Sequence, residues 1–167
     1  METMTQVEVL NTPSDLEEAS IERVADAVNG LVADALALYI KTKNYHWHMS
    51  GRHFRDYHLL LDEQSDQILA TVDPLAERVR KLGATTLRSV GHVAQLQKVK
   101  DDDRDFVEPR EMLKALIEEN KAMTHRMRET HGIAEEVRDV ATVSLLEEYI
   151  NQSEERVWFL FEASREV

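Results

Sequence analysis

The chain has 167 residues, enough for one domain with a sizeable core, and 31% of them are charged, giving a formal net charge of −12. That balance argues against generic affinity for nucleic acid or an anionic membrane and suits attraction of cations. Cysteine is absent, which removes disulfides, thiolate metal sites and a cysteine nucleophile, and the low counts of glycine (5) and proline (3) favour helix over sheet.

Residues 1–13 lack helical periodicity, end at Thr12-Pro13 and read as a flexible tail before a helical domain over 14–167. No basic segment followed by an apolar run opens the sequence, so no secretory signal is expected. Ser14 and Glu17 have the spacing of a capping box. From Ile21 an apolar stripe through Val24, Val28, Leu31, Ala35 and Leu38 predicts a first helix running to about His48, ended by Ser50-Gly51. Its most apolar part, Gly30 to Ile40, is interrupted by Asp34 and too short to cross a bilayer, so a soluble cytoplasmic protein without a membrane partner is expected.

A second helix is predicted from about Arg52 to Leu82, with Gly83 as its stop. Pro74 either bends this helix or breaks it, with Asp73 as the cap of a new one; the unbroken pattern of Ile68, Val72, Leu75 and Val79 favours the bend. Residues 84–108 form a long connection, with a short helix over Val90 to Val99 and a solvated acidic loop at Asp101-Asp102-Asp103. Pro109 opens a third helix, carrying Met112, Leu116, Met123 and Met127 and ending near His131-Gly132. Asp139 caps a fourth, whose stripe includes Leu146, Tyr149, Ile150, Trp158 and Leu160, with Trp158 in the core. The expected fold is all-α, an antiparallel four-helix bundle with a short helix in its long middle crossover.

Five candidate metal ligands punctuate the first two helices: His46, His58, Asp62, Asp73 and Glu77. His58 and Asp62 are four apart, as are Asp73 and Glu77, so each pair projects from one helical face. The pairs are offset by fifteen residues, a rotation of about 60° but a rise of roughly 22 Å. No single centre bridges that distance. Either one helix holds two half-sites, or an antiparallel copy across a two-fold axis supplies the missing half. Among 32 acidic residues, such carboxylate spacings also arise as an ordinary solvated face. Imidazole with carboxylate and no sulfur suits iron, manganese or zinc. His48 and His53 are expected to face solvent, and His92, His125 and His131 to be surface or satisfied bundle histidines.

Lys43-x-x-His46-Trp47, His58-x-x-x-Asp62 and Asp73-x-x-Ala76-Glu77-Arg78, followed by Leu82-Gly83, resemble the Dps mini-ferritins (DNA-binding proteins from starved cells) of the ferritin-like superfamily. The likeness spans roughly residues 15 to 164. It implies a hollow shell of twelve identical subunits that oxidises Fe(II), preferably with hydrogen peroxide, stores the ferric mineral and protects against oxidative stress. It places iron ligands at His46, His58 and Asp62 of one subunit and at Asp73 and Glu77 of its two-fold mate. Trp47 falls where the family has an oxidisable indole, and Lys43 where it has a lysine that pairs with the site's aspartate. Three departures stand out: Pro74 beside a ligand, Ser144 where many members have an entry-pore aspartate (Glu147 or Glu148 being candidate substitutes), and an N-terminus without DNA-binding lysines. The competing readings are a nucleoid-compacting DNA binder with secondary iron chemistry, disfavoured by acidic tails, and a zinc or manganese bundle without redox turnover.

Overall fold

The apolar stripe beginning at Ile21 winds into a single helix, α1, over Glu18–His48, in a computed structural model that describes residues 8–165. Ser14 makes no capping box. Its hydroxyl instead accepts the Leu16 N–H at 3.2 Å, closing a local turn, so the helix starts beyond it with Glu17 as a cap that makes no side-chain bond. The expected tail lies outside the described residues as far as position 7. Beyond it, a 3₁₀ turn at Glu8–Leu10 leads to a Leu10 carbonyl that accepts Arg80 Nη2–H at 2.7 Å.

Helix α2 spans Phe54–Lys81 without a break at Pro74, which excludes Asp73 as the cap of a new helix. The ring removes one backbone bond, while Leu75 and Val79 beyond it stay buried and hold the continuation against the core. Gly83, at φ 91°, terminates the element. The connection contains α3, Val90–Leu96, capped by Ser89, whose hydroxyl accepts the His92 N–H at 3.1 Å.

Helix α4 covers Pro109–Glu136, passing Gly132, which the sequence suggested as its end. The stop is Arg138, a non-glycine at φ 61°. Asp139 caps α5, Val140–Ser164, accepting the Thr142 N–H at 3.1 Å, and Arg78 reaches the same carboxylate at 2.7 Å from the far end of α2.

The result is the four-helix bundle, α1 packing chiefly on α2 and α4 on α5, with α3 against α1. Leu31, Leu38, Leu61, Leu113, Leu146 and Leu160 fill its centre. Two buried ion pairs tie the crossover to the helices. Lys41 Nζ meets Glu119 at 2.9 Å, and both bond Lys100 backbone; Arg126 meets Asp34 at 2.6 Å, and Asp34 also accepts the Lys98 N–H.

Trp158 is not core, being 61% exposed. The buried face of α5 runs through Leu146, Ser153, Arg156 and Leu160, and Trp158 sits about 200° from Arg156 around the helix. Arg156 occupies the core position by donating to Asn120 Oδ1 and Gln67 Oε1, both at 2.7 Å; desolvation pulls its pKa down to about 10. No helix among the described residues is long and apolar enough to cross a membrane.

Candidate metal centre

Where α1 ends and α2 begins, Gly51 at φ 94° reverses the chain and brings His46 against His58. Their rings stack with centroids 3.7 Å apart and planes 21° from parallel. Each histidine donates Nδ1–H to the other's backbone: His46 to the His58 carbonyl at 2.7 Å, His58 to the His46 carbonyl at 2.9 Å. A carbonyl only accepts, so both Nδ1 atoms carry hydrogen, leaving Nε2 on each ring as the nitrogen that can present a lone pair. Ring orientation and tautomer are thus fixed by two bonds that cross the hairpin, as at histidine ligands generally. His46 is buried, and Phe54 lies 5.0 Å from the half-exposed His58 ring.

Asp62, one turn beyond His58, completes this group. Its Oδ1 lies 3.7 Å from His46 Nε2 and is ion-paired to Lys43 Nζ. The hydrogen bond from Lys43 holds the Asp62 carboxyl below its ordinary pKa, and the same bond raises the Lys43 ammonium. Two imidazole nitrogens of set tautomer and an ionised carboxylate are donor types that suit Fe(II), Mn(II) or Zn(II), but within one chain the three are not gathered around a single point.

Asp73 and Glu77 stand apart from this group. Both are exposed on α2, with Lys81 Nζ 3.8 Å from Glu77. Eleven residues of helix separate Asp62 from Asp73, about 16 Å along the axis. Among the described residues, no three His, Asp or Glu side chains of one chain are arranged to hold a metal ion. What a single chain presents is two separated halves.

Trp47, next to His46, is 64% exposed and turns its indole away from the bundle. His48 and His53 are exposed; His48 Nδ1 is engaged by the Asn44 carbonyl and side-chain oxygen at 2.8 Å. His125 does have a carboxylate at helical spacing, Glu129 at 3.4 Å, and His131 Nε2 lies 3.5 Å from Glu147. Ser144, Glu147 and Glu148 are exposed on α5.

Spacing did not reveal the partner of Tyr45. The phenol, buried beside His46, donates to Asp102 Oδ2 at 2.5 Å, and Arg104 grips the same carboxylate. Asp102 is therefore a structural member of the acidic loop rather than a solvated one. Burial and this bond push the phenol's pKa up, and the Arg104 hydrogen bond holds the Asp102 carboxyl well below its usual range. Tyr45 and Asp102 are 57 residues apart, beyond the reach of any local pattern.

A ferritin-like domain model matches residues 25–165. A DNA protection during starvation protein from Agrobacterium fabrum is 30% identical over 149 residues, 89% of this chain and 92% of that protein. Among solved structures, DpsC from Streptomyces coelicolor superposes with a TM-score of 0.89 at 28% identity, covering 93% of this chain and 91% of that one. A Dps protein from Vibrio cholerae O1, a member of a broad superfamily of ferritin-like diiron-carboxylate proteins, gives 0.86 at 25% identity over 99% and 100%. The match across most of the chain carries both levels of kinship, and the chain belongs to the Dps family of ferritin-like proteins.

Proposed function

We propose that this protein is a ferroxidase mini-ferritin: it takes Fe(II) as substrate, oxidises it with hydrogen peroxide and stores the ferric product inside a shell of twelve subunits. The observation that carries this reading is the reciprocal histidine pair, whose two Nδ1–H bonds leave Nε2 on both rings for a metal, with His46 Nε2 3.7 Å from Asp62 Oδ1. His46, His58 and Asp62 of one subunit would meet Asp73 and Glu77 of the two-fold mate, closing two equivalent sites per dimer.

The roles follow from residue chemistry. Imidazole keeps affinity for Fe(II), while the carboxylates neutralise charge and favour Fe(III), the harder ion. Lys43 must swing off Asp62 as the cation arrives, exchanging one positive partner for another. Two ferrous ions give one electron each to a peroxide, which takes two protons and leaves as two waters, so no hydroxyl radical is released. Trp47, next to His46 in the chain, would supply an electron when oxidising equivalents exceed iron. In the cell this activity would remove iron and peroxide together and limit oxidative stress.

The test adds Fe(II) anaerobically, then peroxide, and follows ferric absorbance alongside native mass. His58→Ala or Asp62→Ala should slow the initial rate at least tenfold with the assembly intact, since loss even of a ligand's supporting partner costs about that much. Wild-type rates in both variants would refute the site.

A further inference from the structure

Pro74 lies inside α2, between Asp73 and Glu77. Proline has no N–H, so the Ala70 carbonyl loses its helical partner, and the ring crowds it outward. Ala70 is exposed, so this oxygen opens toward the surroundings rather than into the core. Its azimuth is the informative part. Ala70 and Glu77 differ by seven residues, about 20° around the helix, and Ala70 and Asp73 by about 60°. Helical carbonyls point toward the C-terminus, so the freed oxygen faces the level of residues 73 and 74. Side chains lean toward the N-terminus, which carries the Glu77 carboxylate back over that same turn. Glu77 makes a loose contact with Lys81 at 3.8 Å, and both side chains are about 60% exposed.

We infer that the Ala70 carbonyl is a third oxygen donor in the Asp73–Glu77 half-site, released for binding by Pro74. The inference rests on the shared-site reading given under the proposed function. It assigns the proline a positioning role: a neutral, hard oxygen joins two carboxylates, a combination suited to hard cations, while the imidazoles of the other half supply the affinity for Fe(II). An ordinary residue at position 74 would reclaim that oxygen for the helix.

The experiment restores the backbone N–H with Pro74→Ala and Pro74→Gly and measures anaerobic Fe(II) binding calorimetrically on assembled protein. Melting of the metal-free variants is followed in parallel. Pro74→Ala should melt above wild type, because the helix regains a bond, while Pro74→Gly should melt below Pro74→Ala. Both should bind Fe(II) more weakly, by about tenfold, the lower end of what lost support costs a metal site. Weaker binding in a more stable protein is the signature, and a merely structural proline would not produce it. Wild-type affinity in either assembled variant overturns the carbonyl assignment, as does weakening in Pro74→Ala alone, which would point to helix stiffness. Glu77→Gln is the separating arm: if it also binds Fe(II) as wild type does, the half-site reading fails rather than the role of Pro74.

Discussion

Mixing two inactive variants tests the shared site most directly. His58→Ala damages the group formed by His46, His58 and Asp62; Glu77→Ala damages the other half, on the same helix but nineteen residues further on, about 28 Å along the axis. Each variant alone therefore leaves both sites of a dimer with one defect. In a mixed dimer the two defects fall together at one site, and the other site receives an intact half from each chain. Random reassembly of equal amounts makes about half the dimers mixed, so about a quarter of all sites are whole. The assay is the initial rate of peroxide-driven Fe(II) oxidation after joint disassembly and reassembly, with native mass spectrometry counting mixed species. Activity near a quarter of wild type is expected. Abundant mixed assemblies without activity above the separate variants would refute a site built from two chains.

Lys41→Met strands the Glu119 carboxylate, whose side chain is only 9% exposed, and should cost about 3–5 kcal/mol in denaturant unfolding; Lys41→Met with Glu119→Leu should regain most of it. A double variant no more stable than the single one would contradict this account. Lys43→Met should return the Asp62 carboxyl toward its ordinary 3.8, read by NMR titration. In wild type the depressed value means that this pair's stabilisation is present above pH 3.8 and lost as pH falls through the lower, folded-state pKa; identical Asp62 titrations would show that Lys43 is not the cause. Gly83→Ala, at φ 91° and with its new Cβ 2.7 Å from the Thr12 carbonyl oxygen, should lower the melting temperature through a backbone cost of at least about 1–2 kcal/mol. Duplex DNA should show no mobility shift at physiological salt, because residues 1–20 carry no lysine or arginine and the chain is at −12; a salt-sensitive shift at micromolar protein would overturn that expectation.

The helices were legible because their apolar positions repeat at helical spacing, and the stop at Gly83 and the cap at Asp139 are residue types with one local use. Local patterns failed where one residue has two uses. Ser14 spends its hydroxyl on Leu16, and Gly132 passes as a helical residue while the turn falls on Arg138. On α5, Leu146, Tyr149, Ile150 and Leu160 pack as their spacing predicts, but Trp158 does not: the core position in step with Leu146, Ser153 and Leu160 is held by Arg156, a residue type that hydropathy alone does not place inside. At the candidate centre, spacing put His58 and Asp62 on one face and set Asp73 and Glu77 apart. It could not show that the two imidazoles bond each other's backbone, or that Lys43 sits on Asp62, because those contacts cross the hairpin.

Those crossed imidazole bonds change what the α1–α2 turn has to do. Each imidazole is latched to the backbone that carries the other, so residues 49–53 serve as a connector rather than as a gauge of ring spacing. Apart from Gly51, which makes the reversal, and Met49, which is buried in the core, such a connector tolerates change, because its length is not what sets the separation of the rings. The latch also belongs wholly to one hairpin: no residue of α4 or α5 enters it. The imidazole pair can therefore take shape as soon as α1 and α2 pair, before the second hairpin docks, and lineages could remodel α4, α5 and the surfaces they present while the pair stays in register.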